Sequence, residues 1–340
     1  MRIQTLAARG IFLAFAGIAP LTAQTQWRVT NTFHIGGEGG WDYVTVDPPN
    51  HRFFVTRSTH TQAIDEETGK VLADIPGQVR SHGVALAPKM GRGFITDGGG
   101  SGAILVFDLK TYQVLGKIAT MPDSDGIIYD PGSNLVIAVS GDGGALMTFS
   151  PDIDPRSGKL DEPIKLGGAP EFLAVDGSGK AYINIEDKDT IAVVDLRTRK
   201  VVSRWPVAPG GHPVGMAIDA KAHRLFIGCR NPQKMIVMST EDGKIEAGLP
   251  IGAGVDATQV LGHESFASNR DGSLTVVGDK AGKFEVEQTV KTADGARTMG
   301  LDPETRKVFL PTAQMTTGAN GRPTTKPGTF EVIVVGQPGS

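Results

Sequence analysis

Seven positions in this 340-residue chain, Asp42, His82, Asp125, Glu171, Val214, Asp256 and Arg297, follow one another at intervals of 40, 43, 46, 43, 42 and 41 residues, and six of them are ionisable. Brought to one place, four carboxylates repel each other unless a cation, a shared proton or Arg297 offsets them, which is a physical reason to expect a ligand. Carboxylate oxygens suit Ca²⁺ or Mg²⁺, with Asp125, Glu171 and Asp256 as candidate ligands; one imidazole without a thiolate does not suit structural zinc. His82 titrates near neutrality and, oriented by a carboxylate, could act as a general base. Arg297 could grip a carboxylate or phosphate with two donors. Trp41 could wall a sugar or aromatic ligand, and His212, just before Pro213, stands beside the same set. Each also has a plainer reading: a water-filled pore, an ion-pair role for His82, and interior packing for Trp41.

Residues this far apart in sequence meet only on a repeating scaffold. Each of the seven stands five positions before a turn: Asp47-Pro48, Ala87-Pro88, Asp130-Pro131, Asp176-Gly177, Asp219-Ala220, a degenerate Leu261-Gly262 and Asp302-Pro303. In five units a strand element begins seven positions after the turn residue: Phe54-Val-Thr-Arg57, Phe94-Ile-Thr-Asp97, Ile137-Ala-Val-Ser140, Phe226-Ile-Gly-Cys229 and Phe309-Leu-Pro-Thr312. After shorter turns the other two units give Tyr182-Ile-Asn-Ile185 and Phe266-Ala-Ser-Asn269. Alternating or apolar third strands follow, and no segment sustains a helical period. A repeat of this length is that of a four-stranded propeller blade. The sequence therefore predicts an all-β, seven-bladed β-propeller whose innermost strands carry the seven positions to one mouth of the axial channel. The last unit has only three strands, ending at Phe330-Glu-Val-Ile-Val-Val335, so the orphan strand near Trp27 should complete it and close the ring.

The Phe-Val-Thr-Arg and Phe-Ile-Thr-Asp elements resemble the Tyr-Val-Thr-Asn motif of YVTN-repeat β-propellers. Gly40-Trp-Asp-Tyr43, Pro170-Glu-Phe-Leu-Ala-Val-Asp176, Tyr182-Ile-Asn-Ile-Glu-Asp-Lys188 and Gly295-Ala-Arg-Thr298 are similar to the YncE-like exported members of that family. The resemblance spans essentially all of residues 24–340 and implies the propeller fold. It leaves function open, because propellers host unrelated activities. DNA binding attributed to one branch of the family finds no support in this chain's charge. The sixth unit departs from the pattern with Leu261-Gly-His-Glu264, where a distorted turn is expected.

Glycine makes up 45 residues, without a collagen period, and hydrophobic residues are 39% of the chain, enough for a large core. Residues 1–23 read as a cleaved secretory signal: Arg2 and Arg9 precede an apolar run from Ile11 to Ile18, too short to span a membrane. Its removal takes two arginines and no acid, moving the formal charge from −3 to −5. A bacterial periplasmic or secreted location follows for the single domain 24–340, with no nucleic-acid partner and no transmembrane segment. No nucleophile elbow, haem attachment or zinc-helix motif is present. Cys229 stands alone in a second strand, as a small buried residue does. Residues 314–329 read either as a lid or docking surface or as a structureless insertion. The reading is a monomeric binding or interaction module that presents its polar funnel to a small molecule or an envelope protein. The alternative is a divalent-metal-assisted hydrolase or lyase of lactonase type, with His82 as base.

Overall fold

The first residue of each strand element is a wedge between blades. Phe54, Phe94, Tyr182, Phe226, Phe266 and Phe309 are all at most 5% exposed, and each packs in the apolar cluster shared with the next blade. Ile137 does the same in the remaining unit. Burying a side chain of this size contributes about 1.5–3 kcal/mol, so the element recurs because every inter-blade seam needs one. The core is thus distributed over seven seams rather than gathered at one centre.

The structure, a computed structural model, describes residues 26–318, 321 and 323–338; the proposed signal segment 1–23 lies outside them. Each blade is a four-stranded antiparallel sheet whose strands follow chain order from the axis outward. The innermost strands are Val44–Asp47, the last part of Val71–Ala87, Ser124–Asp130, Pro170–Val175, Pro213–Asp219, Val255–Leu261 and Gly300–Asp302. The first two blades join through Val71–Ala87, which is the outer strand of one and the inner strand of the next, bending at Gly77 with φ +101°. In the seventh blade Arg28–His34 pairs antiparallel with Glu331–Gly336, so the ring closes through the N-terminal strand. Trp27 anchors that closure: its indole Nε1 donates to Glu264 Oε1 at 2.8 Å, and its ring meets Phe266 edge-on.

Two local expectations change. The sixth-blade turn is a regular two-residue one, with Leu261 opposite Glu264 and Gly262 at φ +60°. Residues 314–329 include a short hairpin, Met315–Thr317 paired with Pro323–Thr325. Cys229 is fully buried, and burial pushes its thiol up to about 12. Among the described residues no helix is long and apolar enough to cross a membrane.

Candidate functional site

The inner strands bring the six ionisable positions to one mouth of the channel. His82 Nδ1 lies 2.6 Å from Asp42 Oδ2 and 3.5 Å from Asp125 Oδ1. Arg80 Nε donates to His82 Nε2 at 2.9 Å. A guanidinium can only donate, so Nε2 accepts and the ring proton sits on Nδ1, directed at Asp42. Across the mouth Arg297 donates through Nε to Asp256 and approaches Asp42 Oδ1 at 3.9 Å. The other Asp256 oxygen accepts from Arg230, which also reaches Glu186 at 3.2 Å. His212, nearly half exposed on the rim, ends the chain of contacts at Glu186, 2.7 Å away.

Burial sets the electrostatics. Asp125 is pushed well above the usual carboxylate range, first by burial and then by the charges of Asp42 and Glu171. Its Oδ1 has no hydrogen-bond partner. Glu171 makes no ion pair among the described residues and is raised to about 8, again by burial first and then by Glu186 and Asp256. Asp256 is raised by burial despite its two arginines. At neutral pH Glu171 therefore keeps its proton and can donate, beside the carboxylate of Asp256 that faces two arginines.

The strand element also positions the site. In four units its third residue donates across the seam to the backbone carbonyl of the next blade's site position, while Val139 and Gly228 cannot: Thr56 Oγ1 to His82 at 2.8 Å, Thr96 Oγ1 to Asp125 at 2.6 Å, and Asn184 Nδ2 to Val214 at 2.6 Å. Ser268 does the same for Arg297. In the seventh blade, where Pro311 occupies that place, Thr298 Oγ1 bonds the Asp42 carbonyl at 2.8 Å. Thr96→Val keeps shape but strands the Asp125 carbonyl and the Gly83 N–H, which donates to Thr96 Oγ1. It should cost about 1–3 kcal/mol in a urea or thermal melt; an unchanged midpoint would show that the bond has no positioning role.

Below the polar mouth, Tyr43 and Phe172 meet across the axis with ring centroids 4.8 Å apart and their planes tilted by 49°. They lie one position after Asp42 and Glu171, where Gly83, Gly126 and Gly215 stand in three other blades. A Cβ at Gly126 would come within 3.2 Å of the Phe172 ring, so the small residue makes room for the aromatic. Beneath this pair, residues of all seven inner strands, Thr45 and Gln259 among them, line a chamber of about 480 Å³ of mixed polar and apolar character. The channel is a closed-floored cup on the polar side.

Trp41 is 8% exposed and packs among Val44, Phe309 and Phe330 at the seam between the last and first blades, with only part of it lining a cleft at the mouth. Of the three carboxylates expected to hold a divalent ion, Asp256 has both oxygens engaged by arginines. The set that converges is Asp42, His82 and Asp125, with one candidate ligand atom from each lying within 4.8 Å of the others. Two carboxylates and an imidazole suit Mn²⁺ or Zn²⁺ better than Ca²⁺, which takes six to eight oxygens. Sequence reading missed Arg80 and Tyr43. Arg80 had a signal: it lies two residues before His82, on the same face of one strand.

No protein-family model matches this chain, and no curated protein matches it. Among solved structures the chain is similar to Kuenenia stuttgartiensis hydrazine synthase, with a TM-score of 0.69 and 12% identity over 86% of this chain and 97% of that one. At such identity the likeness is one of fold. Together with the sheets described above it defines a β-propeller.

Proposed function

We propose that this β-propeller is an exported binding module of the YVTN-repeat, YncE-like kind, periplasmic or secreted, whose polar mouth takes a small molecule or a protein partner. The observation that supports this most directly is the convergence of Asp42, His82, Asp125, Glu171, Asp256 and Arg297, from six blades, above a floor closed by Tyr43 and Phe172. Convergent polar groups over an apolar floor are the general form of a small-molecule site. A ligand at a hundred times its dissociation constant would add about 2.7 kcal/mol of stability. Thermal melts of wild type and Asp125→Asn against a panel of polar metabolites test this. At least one compound should raise the wild-type midpoint by several degrees and do so less in the variant. A panel that moves neither protein, with no partner retained in a pull-down from envelope extract, would sink the reading.

The closeness of Asp42, His82 and Asp125 favours a second reading, in which these three hold a divalent ion for hydrolysis or elimination on a bound ester or lactone. His82 would then serve as a ligand through Nδ1 rather than as a base, which requires its proton to move from Nδ1 to Nε2 and Arg80 to give up its hydrogen bond to that nitrogen. Mn²⁺, Zn²⁺, Ca²⁺ and Mg²⁺ can be compared in the same melts. A metal-specific rise abolished by both His82→Gln and Asp125→Asn would favour this reading, and no rise with any of the four ions would remove it.

A further inference from the structure

The guanidinium groups at the mouth are not equivalent. Arg80 is paired with Asp123, Arg297 with Asp256, and Arg230 with Asp256 and Glu186. Arg270, in the loop between Glu264–Asn269 and Ser273–Lys280, has backbone hydrogen bonds, but its side chain has no hydrogen bond or ion pair among the described residues. Though exposed, it is not fully extended away from the chain. A Cβ at Gly254 would stand 2.8 Å from Arg270 Cβ and 3.7 Å from its Nε, so the side chain lies across that glycine at the start of the sixth inner strand. There it feels the charges of Arg297 and Arg230, which together with burial lower its proton affinity, while only Asp256 opposes them.

Arg270 and Arg297 share a cleft of about 1160 Å³ that also reaches Trp41 and the hairpin formed by Met315–Thr317 and Pro323–Thr325. The carboxylates of that cleft do not serve Arg270. Asp271 accepts from the backbone N–H groups of Ala253 and Ser273, Glu331 faces His34 at 3.0 Å, and Asp294 lies against Gly272. An arginine that feels two others and has no ion-pair partner of its own among the described residues is unfavourable in the empty protein, and an anion entering the cleft would relieve it.

We infer that Arg270 is an anion-binding residue of the mouth, and that the ligand carries a carboxylate or phosphate group which Arg270 grips in two-pronged fashion while the rest of the molecule occupies the cleft toward Trp41 and the hairpin. This rests on the reading that the mouth binds a small molecule, and it names that molecule's chemical class. Arg297, expected from sequence to make such a grip, is occupied with Asp256. Arg270 does the work instead.

Inorganic phosphate and citrate are the probes, each titrated calorimetrically and in thermal melts against sodium chloride of equal ionic strength, with wild type and Arg270→Gln. At least one anion should stabilise wild type beyond the salt control, and the variant should lose about tenfold or more in affinity, the usual weight of a charge-assisted bond. Response to phosphate alone assigns a phosphoryl group, to citrate alone a carboxylate, and to both an anion site without preference. Because its side chain supports nothing in the fold, Arg270→Gln should by itself melt no lower than wild type. Equal stabilisation by salt, undiminished binding in the variant, or a variant that melts several degrees lower would each overturn the inference. A neutral compound or divalent ion whose binding needs Asp125 but ignores Arg270→Gln would overturn it too, while leaving the binding reading of the mouth intact.

Discussion

Arg57→Met should lower the melting midpoint by roughly 4–5 °C, the equivalent of about 3 kcal/mol in a domain of this size. Arg57 is fully buried, yet it faces no carboxylate. Its guanidinium donates to the carbonyls of Gly40 at 3.0 Å and Glu38 at 2.8 Å and to Gln62 Oε1 at 2.9 Å, with longer bonds to Gly39 and Gly36. Its flat face lies 3.5 Å from the centre of the Phe330 ring in the closing blade. Burial lowers its proton affinity to about 10, still far enough above neutrality to keep the charge. This one side chain therefore pins residues 36–40, which lead from the closing strand to Trp41 and Asp42. Methionine fills much of the volume but leaves several buried carbonyls without donors, and each such loss is costly. Lysine keeps the charge on a single nitrogen that cannot face five acceptors, so Arg57→Lys should recover only a minor part. Calorimetric melts of the two variants decide the matter; a methionine variant within one degree of wild type would show that water replaces the guanidinium without penalty.

Arg57 also marks where sequence reading stops. The seven-fold period was legible because the turn residues and the aromatic wedges serve the same seam in every blade, so each repeats at a fixed offset. The mouth positions were legible for the same reason: each stands at the same offset from its turn, even where, as at Asp42 and Arg297, the paired inner strand begins after it, and Asp42, His82, Asp125, Asp256 and Arg297 do meet. The closing strand could be counted, since one blade lacked a strand and one strand lacked a blade. An arginine, by contrast, reads as surface charge unless its partners are known, and the partners of Arg57 are carbonyls that no residue type announces. Arg230 and Glu186 reach the mouth from outside the inner strands, next to Val214, the one apolar position of the set. No period governs such excursions. Which carboxylate meets which arginine likewise depends on side-chain direction, which spacing does not encode.

Glu171→Gln should remove a fall in stability between pH 4.5 and about 8 and raise stability most above pH 8. In the folded chain Glu171 titrates at about 8, because ionising it would place a charge in a buried site near Glu186 and Asp256; in the unfolded chain it titrates near 4.5. Below 4.5 the group is protonated in both states and contributes no pH dependence. Between 4.5 and 8 the folded state holds a proton that the unfolded state has released, so stability falls as pH rises through that window. Above 8 the folded state carries the full cost of the buried charge. Glutamine reproduces the protonated shape and cannot ionise, so the difference between variant and wild type should open as pH passes 4.5 and level off beyond 8. Coupling to neighbouring carboxylates spreads the transition, and a gain of about 1–3 kcal/mol at the plateau is expected for removing one unpaired buried charge. Melts in chelator-containing buffer from pH 4 to 9 read the difference directly and exclude a bound cation as its source. Parallel curves for the two proteins would mean that Glu171 is ionised in the folded state throughout. The mouth would then be more acidic than its geometry implies, and the balance between its carboxylates and the unpaired Arg270 would have to be drawn again from the charged form.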